Sequence, residues 1–467
     1  MRVALPKGRL LSDTAALLDR AGWQLNDYQP KARLYRLTSA KYPELSAKML
    51  HEKDIPIQVA IGNYDLGICG ADWVEELVSR YRLSSLVKVR VLGYGHGALY
   101  AASAAGDGIA SLADLSRRTD KVRLASEYPN LAEQLAIQLR LKNYAVYPLW
   151  GSAEAYPPET AEVVILPRKS AGELISKGLK VLSKVLDFKA VLIANRESLA
   201  SKDLSAAISS ILANLPPAVE LNEDAPPKTA AALEAYHEYA PDVVRLALPD
   251  GHQQPHVRKI LDAAGIGIED YPSDRGFRRP KSDLEGFAIK TIRPQDMPIQ
   301  VANGNFDLAI TGWDWLTDHL HQFPASPVKR LLDLKYGWVR IVAVVANEVP
   351  VTNAAELKEH FRNRNLRVAS EYINIADEYA RNNHFGRYRI APTWGSTEAY
   401  LPEDADLLIE NTETGGTIAR HNLRIIDTLF ESTACVIGNT RAADNPVKRK
   451  RMEALVERLG KALDQAK

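Results

Sequence analysis

Two cysteines in 467 residues, Cys69 and Cys435, are too few and too far apart for a disulfide framework or a cysteine-rich metal centre. Both lie in apolar, strand-like runs, which suits a reducing, cytoplasmic setting. No apolar run approaches the ~18 residues a membrane span needs, so no membrane association is expected. The opening "MRVALPKGRLL" meets charge and proline at once, unlike a secretory leader. Charge of one sign is missing too. The formal net charge is +1, so no global field draws the chain to nucleic acid, and any phosphate must be held locally. His252, His256 and His421 show no metal-ligand spacing. The basic run in "VKRKRMEALVERLGKALDQAK" is too short to argue for nucleic acid and reads as one side of an amphipathic helix.

What is present is ordinary globular material, 46% hydrophobic and 25% charged, long enough for about two to four domains. It is also present twice. "DIPIQVAIGNYDLGICGADW" (Asp54 to Trp73) recurs as "DMPIQVANGNFDLAITGWDW" (Asp296 to Trp315), identical at 14 of 20 positions. "VRLASEYPNLA" recurs as "LRVASEYINIA", and "WGSAEAY" (Trp150 to Tyr156) as "WGSTEAY" (Trp394 to Tyr400). The offset stays between 242 and 244, so the repeat is two whole folded halves. The expected division is a first unit at 1–214, a proline- and acid-rich linker with one short helix at 215–242, and a second unit at 243–467. Within each half, short apolar strands alternate with amphipathic helices. "RVALP" and "VRLALP" read as strands, and "SDTAALLDRAG" as a helix with Ser12 as its N-cap. The alternation predicts an α/β fold with mainly parallel sheets and two lobes per half, with a ligand cleft between the lobes.

The chemistry concentrates in "DLLIENTETGGTIARHNL". A strand-to-helix turn rich in glycine and threonine offers backbone amides, plus the hydroxyls of Thr414 and Thr417, to a phosphate. Gly415 and Gly416 let the backbone approach closely. Glu410 and Glu413 can accept from two vicinal hydroxyls or stand near a magnesium ion carried by a pyrophosphate. Together these features describe a pocket for a pentose 5-phosphate, although threonine and glycine also cap many ordinary helices. Glu371, in "ASEY" at the C-terminal edge of a strand, is a further candidate sugar or nucleotide contact.

"ALPKGRLL", "KDIPIQVAIGNYDLGICGADW", "ASEYPNLA" and "DLLIENTETGGTIARHNL" resemble, in order, the signature blocks of ATP phosphoribosyltransferase. The resemblance covers nearly the whole chain, twice over. It implies two tandem copies of a two-lobed unit of the periplasmic-binding-protein type (type II), in the short catalytic form. It also implies transfer of phosphoribosyl from phosphoribosyl pyrophosphate to N1 of ATP, the first step of histidine biosynthesis. Mg²⁺ would arrive with the pyrophosphate, with no protein cage, near Glu410. By the same resemblance Glu410, Glu413, Thr414, Gly415, Gly416 and Thr417 bind the pentose phosphate, and Lys7, Arg9 and Arg293 neutralise the departing pyrophosphate.

Each half departs from the family pattern. The loop of the first half reads Pro167, Arg168, Lys169, Ser170, Ala171, Gly172, Glu173, with Leu166 in place of Glu410. Glu173 would set a negative charge where a phosphate belongs, which is costly. The second half keeps the loop and Arg293, but its N-terminal block is "LPDGHQ", with Asp250 and His252 where the first half has Lys7 and Arg9. His51 stands where Arg293 does. The defects are complementary. The expectation is one working site per chain, centred on the second half with Lys7 and Arg9 reaching across, the halves pairing as an internal pseudo-dimer able to assemble further. One alternative is a non-catalytic regulatory paralogue that binds nucleotide or histidine. A second, a solute-binding receptor, would rest on fold alone.

Overall fold

The computed structural model describes residues 1–30, 32, 35–81, 84–216, 239–272 and 278–465. Most of the expected linker, with its expected helix, lies outside these.

Each half carries two sheets. In the first half, the ends of the half build what we call the terminal lobe. Its strand order is Arg36–Leu37, Ser46–His51, Arg2–Lys7, Leu66–Gly70, Ala190–Asn195, Leu86–Val91. The middle of the half builds the inserted lobe, in the order Leu179–Phe188, Gly97–Ala104, Val163–Arg168, Val122–Ser126, Tyr144–Pro148. The second half repeats the plan. Its terminal lobe has Phe287–Ile292, Val244–Pro249, Leu308–Gly312, Ala434–Asn439 and Val328–Asp333. Its inserted lobe has Tyr388–Pro392, Leu366–Ser370, Leu407–Thr412, Val339–Ala346 and Leu423–Ser432. Strands joined through helices run parallel, as Arg2–Lys7 does with Ser46–His51 and Leu66–Gly70. Strands on which the chain returns from one lobe to the other run antiparallel, as Ala190–Asn195 does against Leu66–Gly70. The sheets are therefore mixed around parallel centres.

Local chemistry explains most element ends. The helix Leu11–Arg20 packs Leu17 and Leu18 inward and stops before Gly22, whose φ of +67° turns the chain. Ser12 does not cap it. The cap position is Leu10 and makes no side-chain bond, which places Ser12 inside the first turn. Asn195 and Asn353 do cap helices, accepting from Ser198 N and Glu356 N.

The packing between the halves is crosswise. One apolar cluster joins Ala4, Leu50, Ile55 and Tyr64 of the first terminal lobe to Val342, Val344 and Leu408 of the second inserted lobe. Another joins Tyr100, Tyr156 and Val164 of the first inserted lobe to Ile292, Met297, Val301 and Phe306 of the second terminal lobe. Buried ion pairs mark both junctions. Lys48 Nζ lies 2.7 Å from Glu403 and 3.0 Å from Asp404, and Tyr64 donates to Asp404 at 2.6 Å. At the repeat-related place, Lys290 Nζ lies 2.5 Å from Glu159, which Arg279 also holds at 2.6 Å. Among the described residues no helix is long and apolar enough to cross a membrane.

Candidate active site

Because each terminal lobe lies on the other half's inserted lobe, the chain forms two crevices whose walls come from both halves. The first contains the threonine-glycine loop. The strand Leu407–Thr412 delivers it and the short helix Gly416–Arg420 leaves it. Between them Gly415 has φ +76°, a left-handed turn that glycine adopts without strain. The Thr412 hydroxyl accepts from Gly415 N at 2.9 Å, and the Thr414 hydroxyl from Gly416 N at 3.4 Å, so the loop is held by its own side chains. Glu413, Thr414 and Gly416 are exposed. In the first half, Ala171 holds the place of Gly415 with a right-handed φ of −61°, and the turn takes another path.

Beside the loop stand Glu371, Glu398 and Glu410, half-buried. Burial pushes the Glu410 carboxyl well above the usual range, and repulsion from Glu371 and Glu398 adds to it. Glu371 is raised in the same way, by burial and then by Glu398 and Asp314. Gly395 lies beside Glu371, and its φ of +110° is a backbone conformation that favours glycine. Behind the loop, Asn411 donates to the Tyr372 hydroxyl at 2.9 Å, which donates to Asp314 at 2.6 Å. That chain ties the loop to its own terminal lobe.

The opposite wall belongs to the first half. Lys7 Nζ donates to Ser396 Oγ at 3.0 Å and lies 4.5 Å from the centre of the Tyr35 ring. Tyr35 stacks on His421, at the end of the loop's helix, with centroids 5.1 Å apart. His51, the counterpart of Arg293, has its pKa pushed down to about 4, by burial and then by Lys53, Lys7 and Arg9. It is therefore neutral at physiological pH.

Lys7, Glu371 and Glu410 thus share the loop's crevice. The other two expected cations are engaged by carboxylates of the terminal lobes. Arg9 is bound by Glu52 at 3.1 Å and Asp72 at 2.8 Å. Burial would lower its pKa, but Asp72 and Glu52 together raise it. Asp72 also accepts from Tyr128 at 2.7 Å, a tie between the lobes of the first half. Arg293 lies in the second crevice, 3.1 Å from Asp250 and beside Gly151 of the first half. Grouping Arg293 with the loop because both belong to the second half therefore fails, since the crosswise packing sends them to different crevices. Tyr35, His421 and Ser396 were not singled out from the sequence as site residues, and Glu398 was as open to a structural role as to a ligand role. Only the "WGSxEAY" block carried a signal, through its retention in both halves, and that signal could equally mean packing.

Among the described residues no group of three or more His, Cys, Asp or Glu side chains is arranged to hold a metal. The three glutamates are short of positive charge all the same, so a cation that arrives on a ligand fits them better than a resident one. A cavity of about 440 Å³ lies elsewhere, where the first inserted lobe meets the second terminal lobe. Its cations are already paired, Arg123 to Glu162 and both Arg245 and Lys448 to Asp307, and it contains none of the loop.

The model of the family described as "HisG: ATP phosphoribosyltransferase" matches residues 51–216 and 293–461, one segment in each half. The second segment includes the loop and Glu371, while Lys7 and Arg9 fall outside both. The ATP phosphoribosyltransferase of Chlorobaculum parvum is 30% identical over 228 residues, 48% of this chain and 72% of its own. Among solved structures, a chain of the ATP phosphoribosyl transferase (HisG:HisZ) complex from Thermotoga maritima aligns with 48% of this chain and 100% of its own, at 22% identity and TM-score 0.40. The periplasmic aliphatic sulphonate binding protein SsuA from Escherichia coli aligns with 46% of this chain and 67% of its own, at 18% identity and TM-score 0.30.

Proposed function

Because the chain belongs to the ATP phosphoribosyltransferase family, we propose that it transfers the phosphoribosyl group of phosphoribosyl pyrophosphate to N1 of ATP, releasing pyrophosphate, at one site per chain. The observation that carries this reading is the meeting of three features in one crevice. These are the threonine-glycine loop, the under-neutralised glutamates, and Lys7 from the opposite half.

The loop takes the 5-phosphate on its amides and the Thr414 and Thr417 hydroxyls. Glu410, with Glu371 beside it, accepts from the ribose hydroxyls. Each carboxylate that accepts such bonds, or stands near a cation brought by the substrate, is relieved of the burial and repulsion that now raise its pKa. Lys7 supplies positive charge to the departing pyrophosphate from across the junction. Mg²⁺ bound to that pyrophosphate would spread its charge further. As the bond to pyrophosphate breaks and N1 bonds to the sugar carbon, that carbon takes on oxocarbenium character, so the main work of the protein is to hold the adenine ring in line and stabilise the leaving anion. N1 of adenine already carries its lone pair, so no general base is required. Arg9, held by two carboxylates of its own lobe, fixes Asp72 for its bond to Tyr128 of the other lobe.

In this reading the two halves stand to each other as the subunits of a family dimer, joined in one chain, with the first half supplying a wall and Lys7. Incubating the purified chain with ATP, phosphoribosyl pyrophosphate and Mg²⁺ should release pyrophosphate. Release should fall at least about tenfold in Thr414→Ala, the scale of one lost charge-assisted hydrogen bond. Tight substrate binding without any release would instead favour the regulatory paralogue.

A further inference from the structure

The second crevice is the repeat-related copy of the first, yet its charge is inverted. Leu166 replaces Glu410, and Glu127, at the place of Glu371, is neutralised by Lys53 at 3.1 Å. Glu154, at the place of Glu398, is the one member of the acidic trio left facing this crevice. It is surrounded by Arg168 and Lys177, each at 3.1 Å, and Arg278 at 3.4 Å. Those three cations stand where the first crevice has Thr412, His421 and Tyr35. Arg293, in place of His51, joins Arg278 on Asp250, at 3.1 and 2.8 Å. Among the described residues, four cations therefore share two carboxylates.

They also remain within reach of solvent. The side chains of Arg168 and Arg278 are 20% exposed, Lys177 35% and Arg293 42%. Arg293 Nε is buried with no hydrogen-bond partner among the described residues, beside Gly151, where a β-carbon would come within 3.0 Å of it. A latch between the halves would balance its charges. Among the described residues this one leaves two cations in excess and a guanidinium donor unused.

We propose that this second crevice is a non-catalytic binding site for an oligophosphate anion, either pyrophosphate or the phosphate tail of a nucleotide. Guanidinium groups match phosphate oxygens in pairs, and three of the four cations are arginines. The carboxylates that would read sugar hydroxyls are gone or neutralised, so the site selects phosphate and not ribose. Its walls come from both halves, so an occupant also clamps them together.

The test is calorimetric titration of the full-length protein with inorganic pyrophosphate, ADP and AMP at low salt, where such contacts are least screened. In Lys7→Ala/Thr414→Ala, which removes both the leaving-group cation and a loop hydroxyl of the first crevice, pyrophosphate or ADP binding should persist. Adding Arg168→Gln or Lys177→Gln to that variant should weaken it about tenfold or more, with thermal melting confirming the fold. Arg168→Lys should retain part of the affinity. Equal binding of pyrophosphate and ADP identifies the bare phosphate tail as the ligand, and much tighter binding of ADP identifies a nucleotide; either supports the site. The proposal is overturned if Lys7→Ala/Thr414→Ala binds neither, if both cation variants bind undiminished, or if AMP binds as tightly as ADP.

Discussion

Gly415 and Ala171 hold equivalent places in the two copies, with φ of +76° and −61°. One β-carbon separates an open left-handed turn from an ordinary helix start, and that difference was legible in the sequence as glycine against alanine. So were the carboxylates Glu371 and Glu410. Their shared surroundings were not, because Glu398 lies in a block present in both halves, and Lys7, Tyr35 and His421 meet only after folding. The glutamates carry a pH prediction. Glu410 binds its proton more tightly in the folded protein than in the unfolded chain. Its contribution to stability is therefore full below the ordinary carboxylate range and is lost as pH rises toward the raised value. Glu410→Gln should flatten that loss in denaturant titrations of the ligand-free protein. It should also weaken phosphoribosyl pyrophosphate binding about tenfold or more, through the lost charge-assisted contact. A variant that gained alkaline stability but kept full affinity would remove Glu410 from the sugar site.

At the scale of elements, strands and helices were readable because the sequence alternates short apolar runs with amphipathic ones. The antiparallel return strands were not readable, since their apolar pattern does not encode direction. The junctions between lobes rest on buried polar groups whose partners lie hundreds of residues away. Lys48 and Asp404 are each 2% exposed and face one another across the halves. Lys48→Ala leaves Asp404, and the partly exposed Glu403 beside it, without that cation at an apolar junction. By comparison with other broken buried pairs it should cost about 3–5 kcal/mol in urea denaturation, and a loss within error would mean that water already reaches the pair. Asp296 accepts from Trp150 N at 3.0 Å and the Tyr156 hydroxyl at 3.2 Å, and burial pushes its pKa up to about 8. Its stabilising effect is greatest in acid and is lost as pH rises to about 8. Asp296→Asn should remove part of that slope at little cost in acid, which denaturant midpoints across the same pH range will check.

For the whole molecule, duplication was plain from the offset between copies, but not how the copies meet. Complementary losses suggested cooperation between halves, and the crosswise packing gives that idea a geometry. It brings Lys7 to the loop and takes Arg293 away from it. Two equivalent sites would let each copy keep its own residues. Here one crevice has collected acidic and hydroxyl groups and the other cations, as expected when one ancestral pair of sites specialises in opposite directions.

The decisive experiment is calorimetric titration with phosphoribosyl pyrophosphate and Mg²⁺ of the wild type, Lys7→Ala, Thr414→Ala and Ser170→Ala. One tight site per chain is expected, weakened about tenfold or more by Lys7→Ala and by Thr414→Ala, although these residues belong to different halves, and unchanged by Ser170→Ala. Two sites of equal affinity, or a site indifferent to Lys7, would contradict it.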